Sequence, residues 1–94
     1  MAEWAVVPER SAHKIPSEWS WEKGALVEPF SIAANVLSRA EFTGKDKVLV
    51  VGAGPIGLTM IQAAAGLGAQ VAAADIVPSR LESAKQMGAA LTMC

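Results

Sequence analysis

Three glycines spaced as Gly-X-Gly-X-X-Gly, and an aspartate 23 residues after the first of them, are the residues best suited to chemistry in this sequence. Gly52 lets the chain turn sharply, Gly54 has no β-carbon to keep a pyrophosphate away from the backbone, and Gly57 lets a following helix pack closely on a strand. Asp75 lies at the spacing at which a carboxylate hydrogen-bonds the ribose hydroxyls of adenosine. The pattern predicts a dinucleotide-binding turn.

Such a turn needs a strand before it and a helix after it. Lys47–Val51 is an aliphatic run that predicts a strand, and the helix predicted from Pro55 to Leu67 is apolar on nearly every side. Phosphates would lie at the N-terminus of this helix, where unpaired N–H groups and the helix dipole favour an anion. Gln70–Asp75 predicts a second buried strand that ends on the acid. The alternative is a glycine turn that binds nothing, with a solvated aspartate at a strand end.

The rest of the chain supplies the elements that position this turn. We predict a short strand at Ala2–Val7, a short helix over Trp21–Leu26, and an interruption at Glu28-Pro29 where a new helix starts. A further helix begins at Pro78, and Ala89–Cys94 begins the third strand of the sheet. Strand, helix, strand, helix, strand is the first βαβαβ half of a doubly wound Rossmann fold, an α/β architecture with parallel strands in the order 3-2-1.

Composition limits the partners. At 94 residues, with 52% hydrophobic and 18% charged residues, the chain can bury a core but is short for a complete doubly wound domain. A net charge of −1 gives no reason to expect nucleic acid or an anionic membrane. No apolar run is long enough to span a bilayer, and no secretory signal opens the sequence, so a cytoplasmic location is expected. Cys94 is the single cysteine, which excludes an internal disulfide.

These segments together resemble one family along the whole chain, the zinc-type medium-chain dehydrogenases of the alcohol dehydrogenase superfamily, in the branch of the sorbitol, threonine and galactonate-type dehydrogenases. Four segments carry the resemblance. AEWAVVP is similar to the strand that closes the family's GroES-like catalytic domain, and GALVEPFSIAANV is similar to its crossing segment. VLVVGAGPIGL is similar to the family's nucleotide turn, and ADIVPSRLESAKQMGA to its ribose-binding strand with the following helix.

The resemblance implies a division of the chain and a set of NAD contacts. Residues 1–27 would be the end of the GroES-like catalytic domain with the crossing segment, and residues 28–94 a partial NAD-binding Rossmann domain. The acid would accept hydrogen bonds from the adenosine ribose and repel a 2′-phosphate, which favours NAD over NADP. Arg80 is the residue that could soften this preference. The implied contacts, first to the pyrophosphate and then to the adenosine, are Gly52, Gly54, Pro55, Ile56 and Gly57, then Asp75, Ile76 and Arg80.

The resemblance also implies a residue near a catalytic zinc ion. Glu28 matches the glutamate that in polyol-dehydrogenase relatives lies at the catalytic zinc, where it contacts the metal or its bound water. The alternative is a carboxylate favoured by the dipole at a helix start. A catalytic zinc needs about three protein ligands and an open position. Because Glu28 is the single candidate here, zinc is expected in the full-length enzyme, and chain 1–94 alone is predicted to lack a hydride-transfer site and any catalytic residue.

Three functions compete. The first is part of an NAD-dependent zinc-type oxidoreductase that transfers hydride from a secondary alcohol of a polyol, sugar or sugar acid, with this segment binding the adenosine and pyrophosphate end. The full-length enzyme would then act on a small molecule and form a homo-oligomer. The second is a truncated, non-catalytic nucleotide-binding fragment. The third is a zinc-free reductase acting on quinones or enones, against which Glu28-Pro29 argues. With three strands and an unpaired edge, we expect marginal stability.

Overall fold

The computed structural model describes residues 2–94, and three parallel strands form its centre. Their spatial order is β1 (Lys47–Val51), β2 (Gln70–Ala74), β3 (Leu91–Met93), which confirms the predicted order 3-2-1. In the register of the sheet, Val51 is opposite Ala74 and Ala74 is opposite Met93. The carboxyl ends of all three strands are therefore level, and the residues that follow them share one edge of the sheet.

Four α-helices accompany the sheet among the described residues: α1 (Trp21–Ala25), α2 (Val27–Arg39), α3 (Pro55–Gly66) and α4 (Pro78–Gln86). A single turn of 3-10 helix covers Glu9–Ser11. Helix α3 connects β1 with β2 and contacts both, and α4 connects β2 with β3 and contacts both. Helix α2 packs on α3, so the apolar α3 lies between the sheet and a further helical layer, as its sequence predicts. In residues 2–94, no helix has the length and apolarity needed to span a bilayer.

The core is built largely from small side chains. Six of the ten buried hydrophobic residues among residues 2–94 are alanines, and Ile61 and Val71 are the largest side chains that are fully buried. Small side chains allow the helices to approach the sheet closely. The alanines come from every layer, since Ala33 is on α2, Ala64 on α3 and Ala73 on β2.

The two faces of the sheet differ. Val71 and Ala73 point towards the helices and are buried, whereas the alternate residues of the strands point to the opposite face. On that face, the apolar side chains of β1 and β3 are 49–80% exposed: Leu49, Val51, Leu91 and Met93. One face of the sheet is therefore covered by helices and the other is open.

The strand predicted at Ala2–Val7 is wrong for the described residues. This segment forms no ladder, and its side chains are exposed, including Trp4 at 89%. Its β-branched residues favour an extended backbone, but a strand exists only where a second backbone lies alongside to pair its N–H and C=O groups. Among residues 2–94, no strand lies alongside the Ala2–Val7 segment.

The predicted break at Glu28-Pro29 is also displaced. Helix α1 begins as predicted, with the Ser20 hydroxyl accepting the Lys23 N–H at 3.3 Å, but the chain leaves it at Leu26, and Glu28 is already helical within α2. Pro29 is tolerated because the first N–H groups of a helix have no acceptor inside it, so a proline there removes no hydrogen bond. The first-turn position expected for Pro29 is therefore right, and the conformation expected for Glu28 is wrong.

Candidate dinucleotide-binding site

The glycine turn begins where β1 ends. Gly52 has a φ of +97°, a conformation that side-chain-bearing residues rarely adopt. Its N–H donates to the carbonyl of Ala74 at 2.7 Å. The chain therefore leaves the sheet sharply while its first residue is still bonded to the end of β2.

The other two glycines of the turn differ in how much space surrounds them. A β-carbon at position 57 would overlap the carbonyl group of Gly52, so the packing of α3 on the turn itself requires glycine there. At position 54, no atom lies within 4 Å of where a β-carbon would be, and the φ of −75° suits any residue. Neither the fold nor the backbone conformation requires glycine at 54. A second molecule can approach the backbone closely at that point.

Helix α3 starts directly behind this open position. Pro55 is in its first turn, and the N–H of Leu58 donates to the carbonyl of Gly54 at 2.8 Å. In the part of the chain that the structure describes, no side chain caps this helix end. The first backbone N–H groups of a helix have no partner within it, and they carry the positive end of its dipole. The start of α3 therefore attracts an anion without a basic side chain.

Asp75 follows β2, and its carboxylate accepts hydrogen bonds from two backbone N–H groups. Its Oδ2 accepts the N–H of Ala53 at 2.7 Å, and its Oδ1 accepts the N–H of Val77 at 2.8 Å. The side chain is 4% exposed. The hydrogen bond from Ala53, followed by that from Val77, lowers the pKa of Asp75 below its ordinary value, and the nearby charge of Arg80 contributes in the same direction. The carboxylate is therefore ionised at neutral pH.

A cavity opens beside this carboxylate, beyond the carboxyl ends of the strands. Ligands of open α/β sheets bind in this location. The guanidinium Nη1 of Arg80 lies 3.7 Å from Oδ2 of Asp75, and its side chain is 54% exposed, so it can reach a bound molecule. The cavity measures about 380 Å³ and is lined by Val51, Gly52, Ala74, Asp75, Ile76, Arg80, Met93 and Cys94.

Glu28 lies apart from this cavity. It is exposed in the first turn of α2, where its carbonyl accepts the hydroxyl of Ser31 at 2.6 Å. Among residues 2–94, no group of three or more His, Cys, Asp or Glu side chains could hold a metal ion. A zinc site needs about three protein ligands, so the described residues do not make one.

The structure brings together most of the predicted nucleotide contacts. Gly52, Asp75, Ile76 and Arg80 line one cavity, and the residues from Gly54 to Gly57 continue from its edge into α3. Sequence reasoning missed two groups of residues. The first is Met93 and Cys94, which complete the cavity wall, and the parallel order of the strands contained the signal for them. The second is the pair of backbone N–H groups, of Ala53 and Val77, that donate to Asp75. The amino-acid types of these two residues do not indicate such hydrogen bonds.

Comparison with known proteins identifies relatives over most of the chain. The family model described as "Alanine dehydrogenase/PNT, C-terminal domain" matches residues 28–94. The starvation-sensing protein RspB of Escherichia coli is 47% identical over 90 residues, which cover 94% of this chain and 26% of that protein. Sorbitol dehydrogenase of Bos taurus is 47% identical over 78 residues, which cover 82% of this chain and 22% of that protein. The chain spans about a quarter of the length of these relatives.

Solved structures show the same architecture. RspB from Escherichia coli, crystallised with the cofactor NADH, superimposes with a TM-score of 0.89 at 45% identity, over 95% of this chain and 27% of that one. Galactitol-1-phosphate dehydrogenase from Escherichia coli superimposes with a TM-score of 0.91 at 37% identity, over 97% of this chain and 27% of that one. The chain therefore belongs to the alanine dehydrogenase/PNT C-terminal domain family and, with these relatives, to the medium-chain dehydrogenase/reductase superfamily.

Proposed function

We propose that residues 28–94 bind the adenosine and pyrophosphate end of NAD in an NAD-dependent oxidoreductase. One observation carries the proposal: an ionised, 4% exposed carboxylate, Asp75, lies in a cavity wall directly beside the glycine turn. The RspB relative was crystallised with NADH, which supports the same cofactor here. The proposed contacts are Gly52, Gly54, Pro55, Ile56, Gly57, Asp75, Ile76 and Arg80.

The pyrophosphate would lie over Gly54. The space beyond its α-carbon is open, and the uncapped N-terminus of α3 supplies N–H groups and a favourable dipole beside it. Ile56, 46% exposed in the first turn of α3, would border the phosphates. Here the chain offers backbone donors, so binding at this point depends on the conformation of the turn.

The adenosine ribose would lie against Asp75. Each carboxylate oxygen accepts one backbone N–H, and a carboxylate oxygen can accept a second hydrogen bond, so each oxygen keeps acceptor capacity for a ribose hydroxyl. A negative charge at this place repels a 2′-phosphate, which favours NAD over NADP. Ile76 and Arg80 would flank the adenosine from the same cavity wall.

In the whole protein, bound NAD would accept the hydride, and the residues of this chain would hold its opposite end in position. The substrates named for sorbitol dehydrogenase and galactitol-1-phosphate dehydrogenase are polyols or a polyol phosphate. We therefore propose a secondary alcohol of a polyol, sugar or sugar acid as the substrate class. A zinc contact from Glu28, a GroES-like origin for residues 1–27, a homo-oligomeric assembly and a cytoplasmic location remain predictions for the whole protein.

A second candidate is a nucleotide-binding segment without catalysis. It is favoured by one observation: the predicted site residues that the structure brings together, Gly52, Asp75, Ile76 and Arg80, all lie at the proposed nucleotide cavity. Both candidates predict nucleotide binding by this chain. They differ in hydride transfer, so a whole protein that binds NAD but reduces none of it in the presence of polyols would favour the second.

The test is calorimetric titration of this chain with NAD and with NADP. We expect NAD to bind more tightly than NADP, and Asp75→Ala to weaken NAD binding about tenfold or more, the range for a lost hydrogen bond to a charged group. The matched control is Asp46→Ala, because the Asp46 carboxylate also accepts a backbone N–H at 2.7 Å, from Thr43, but at the opposite end of β1. Absence of NAD binding by a chain that circular dichroism shows to be folded would reject the proposal.

A further inference from the structure

The backbone N–H of Ala53 donates a hydrogen bond to a residue that is distant in the sequence. Ala53 lies between the first two glycines of the turn, is 1% exposed, and is separated from Asp75 by 22 positions, yet its N–H donates to the Oδ2 of Asp75 at 2.7 Å. A buried backbone donor needs an acceptor. Here the acceptor is a charged side chain that directly follows the next strand, and hydrogen bonds with a charged partner are shorter and stronger than neutral ones.

The carboxylate is itself fixed in orientation. Its Oδ1 accepts the N–H of Val77, two residues further along its own chain, at 2.8 Å. With one oxygen on Val77 and the other on Ala53, rotation of the carboxylate breaks at least one of these hydrogen bonds. The end of β2 therefore positions Asp75, and Asp75 positions the glycine turn.

From this arrangement we infer that Asp75 is a positioning residue for the pyrophosphate, in addition to the ribose contact proposed above. By holding Ala53, it keeps the backbone from Gly52 to Gly54 in the conformation that leaves Gly54 open to a phosphate. This inference rests on the proposed function. It differs from that function in one respect: loss of the carboxylate weakens binding even of a nucleotide that has no ribose hydroxyls.

The geometry also limits which substitution can replace the carboxylate. Two N–H donors face its two oxygens. An asparagine has one oxygen and one NH₂ group, so one of the two donors would face another donor. Asp75→Asn, although nearly identical in shape, is therefore expected to disturb the turn much as Asp75→Ala does.

The test uses two ligands that differ only at the ribose. ADP and 2′,3′-dideoxy-ADP are titrated into the wild-type chain and into Asp75→Ala, Asp75→Asn and the control Asp46→Ala. We expect both Asp75 variants to lose about tenfold or more in affinity for dideoxy-ADP, and Asp46→Ala to lose none. If the Asp75 variants weaken ADP but bind dideoxy-ADP as the wild type does, Asp75 acts through the ribose alone and the inference is wrong. If the folded wild type does not bind ADP, the proposed function itself fails.

A measurement on the unaltered chain applies even if the variants unfold. The amide of Ala53 and the side-chain carboxyl carbon of Asp75 are followed by NMR as the pH is lowered. Arg80, whose Nη1 lies 3.7 Å from Oδ2 of Asp75, is the charged neighbour of this carboxylate. We expect the Ala53 amide to shift with the same midpoint as the carboxyl of Asp75. An Ala53 amide that is insensitive to this titration would overturn the inference.

Discussion

The backbone of Gly57 in α3 lies against the carbonyl group of Gly52, so close that a β-carbon at position 57 would overlap it. Helix and turn thus meet without any side chain between them. This contact determines how near the N-terminus of α3 comes to the end of β1, where the phosphates are proposed to bind.

Gly57→Ala is therefore expected to destabilise the fold. The added methyl group forces α3 away from the turn, and overpacking of this kind costs about 1–3 kcal/mol of unfolding free energy. Urea unfolding followed by circular dichroism measures the change. An unchanged midpoint and slope would show that the helix can move without cost, contrary to the geometry.

Gly54→Ala gives the matched contrast. Its methyl group meets no atom within 4 Å, and the φ of −75° suits alanine, so we expect unfolding free energy to change by less than about 1 kcal/mol. The same methyl group would stand where the pyrophosphate approaches, so NAD affinity is expected to fall about tenfold or more. Calorimetry and urea unfolding on the one variant check both parts. Retained affinity would place the pyrophosphate elsewhere.

Acid is expected to destabilise the wild type more than Asp75→Asn. The pKa of Asp75 is lowered in the folded chain, mainly by the N–H of Ala53 and then by that of Val77. A carboxylate with a lowered folded pKa contributes stability above its unfolded pKa of about 3.9, and this contribution is lost as the pH falls through the folded value. Unfolding free energies measured between about pH 5 and pH 2 are expected to fall more steeply for the wild type. Glu22, whose pKa is also lowered, is present in both proteins. Parallel curves would show that Asp75 does not contribute.

Arg80→Gln is expected to sharpen the preference for NAD. Arg80 is the cation in the proposed adenosine cavity, 54% exposed and 3.7 Å from Asp75, and its charge partly offsets the repulsion of a 2′-phosphate. Its removal is expected to weaken NADP about two- to fivefold more than NAD, the scale of a single exposed charge pair. The control is Lys85→Gln, since Lys85 is similarly exposed on the same helix but pairs with Glu82 at 2.9 Å. Equal losses for both cofactors would exclude this role.

Local patterns predicted most of the elements. The aliphatic run at Lys47–Val51 matches β1 at both ends, because a glycine that needs a positive φ follows it directly. Pro55 and Pro78 mark the starts of α3 and α4, as prolines in first turns do. Ala2–Val7 was predicted wrongly because residue preferences are local, whereas a strand requires a partner at a distance.

The site was predicted in its residue types but not in its connections. Spacing placed Asp75 after the second strand, yet its hydrogen bond to Ala53 depends on the register that sets Val51 opposite Ala74. Register is a relation between two strands, and no single segment contains it. The sequence therefore predicts a ribose acceptor, and the structure shows that the same carboxylate also accepts the N–H of Ala53 in the turn.

The alanine-rich core has a calorimetric consequence. The heat-capacity change on unfolding grows with the apolar surface that becomes exposed, and an alanine exposes little. Six of the ten buried hydrophobic residues in the described chain are alanines, while Leu49, Val51, Leu91 and Met93 already meet solvent in the folded state. We expect a heat-capacity change below the usual ~12–15 cal/mol/K per residue, and hence a stability curve that is flat across temperature. The enthalpy of unfolding of such a chain changes less with temperature than that of a domain with larger core side chains, because the heat-capacity change is its temperature derivative.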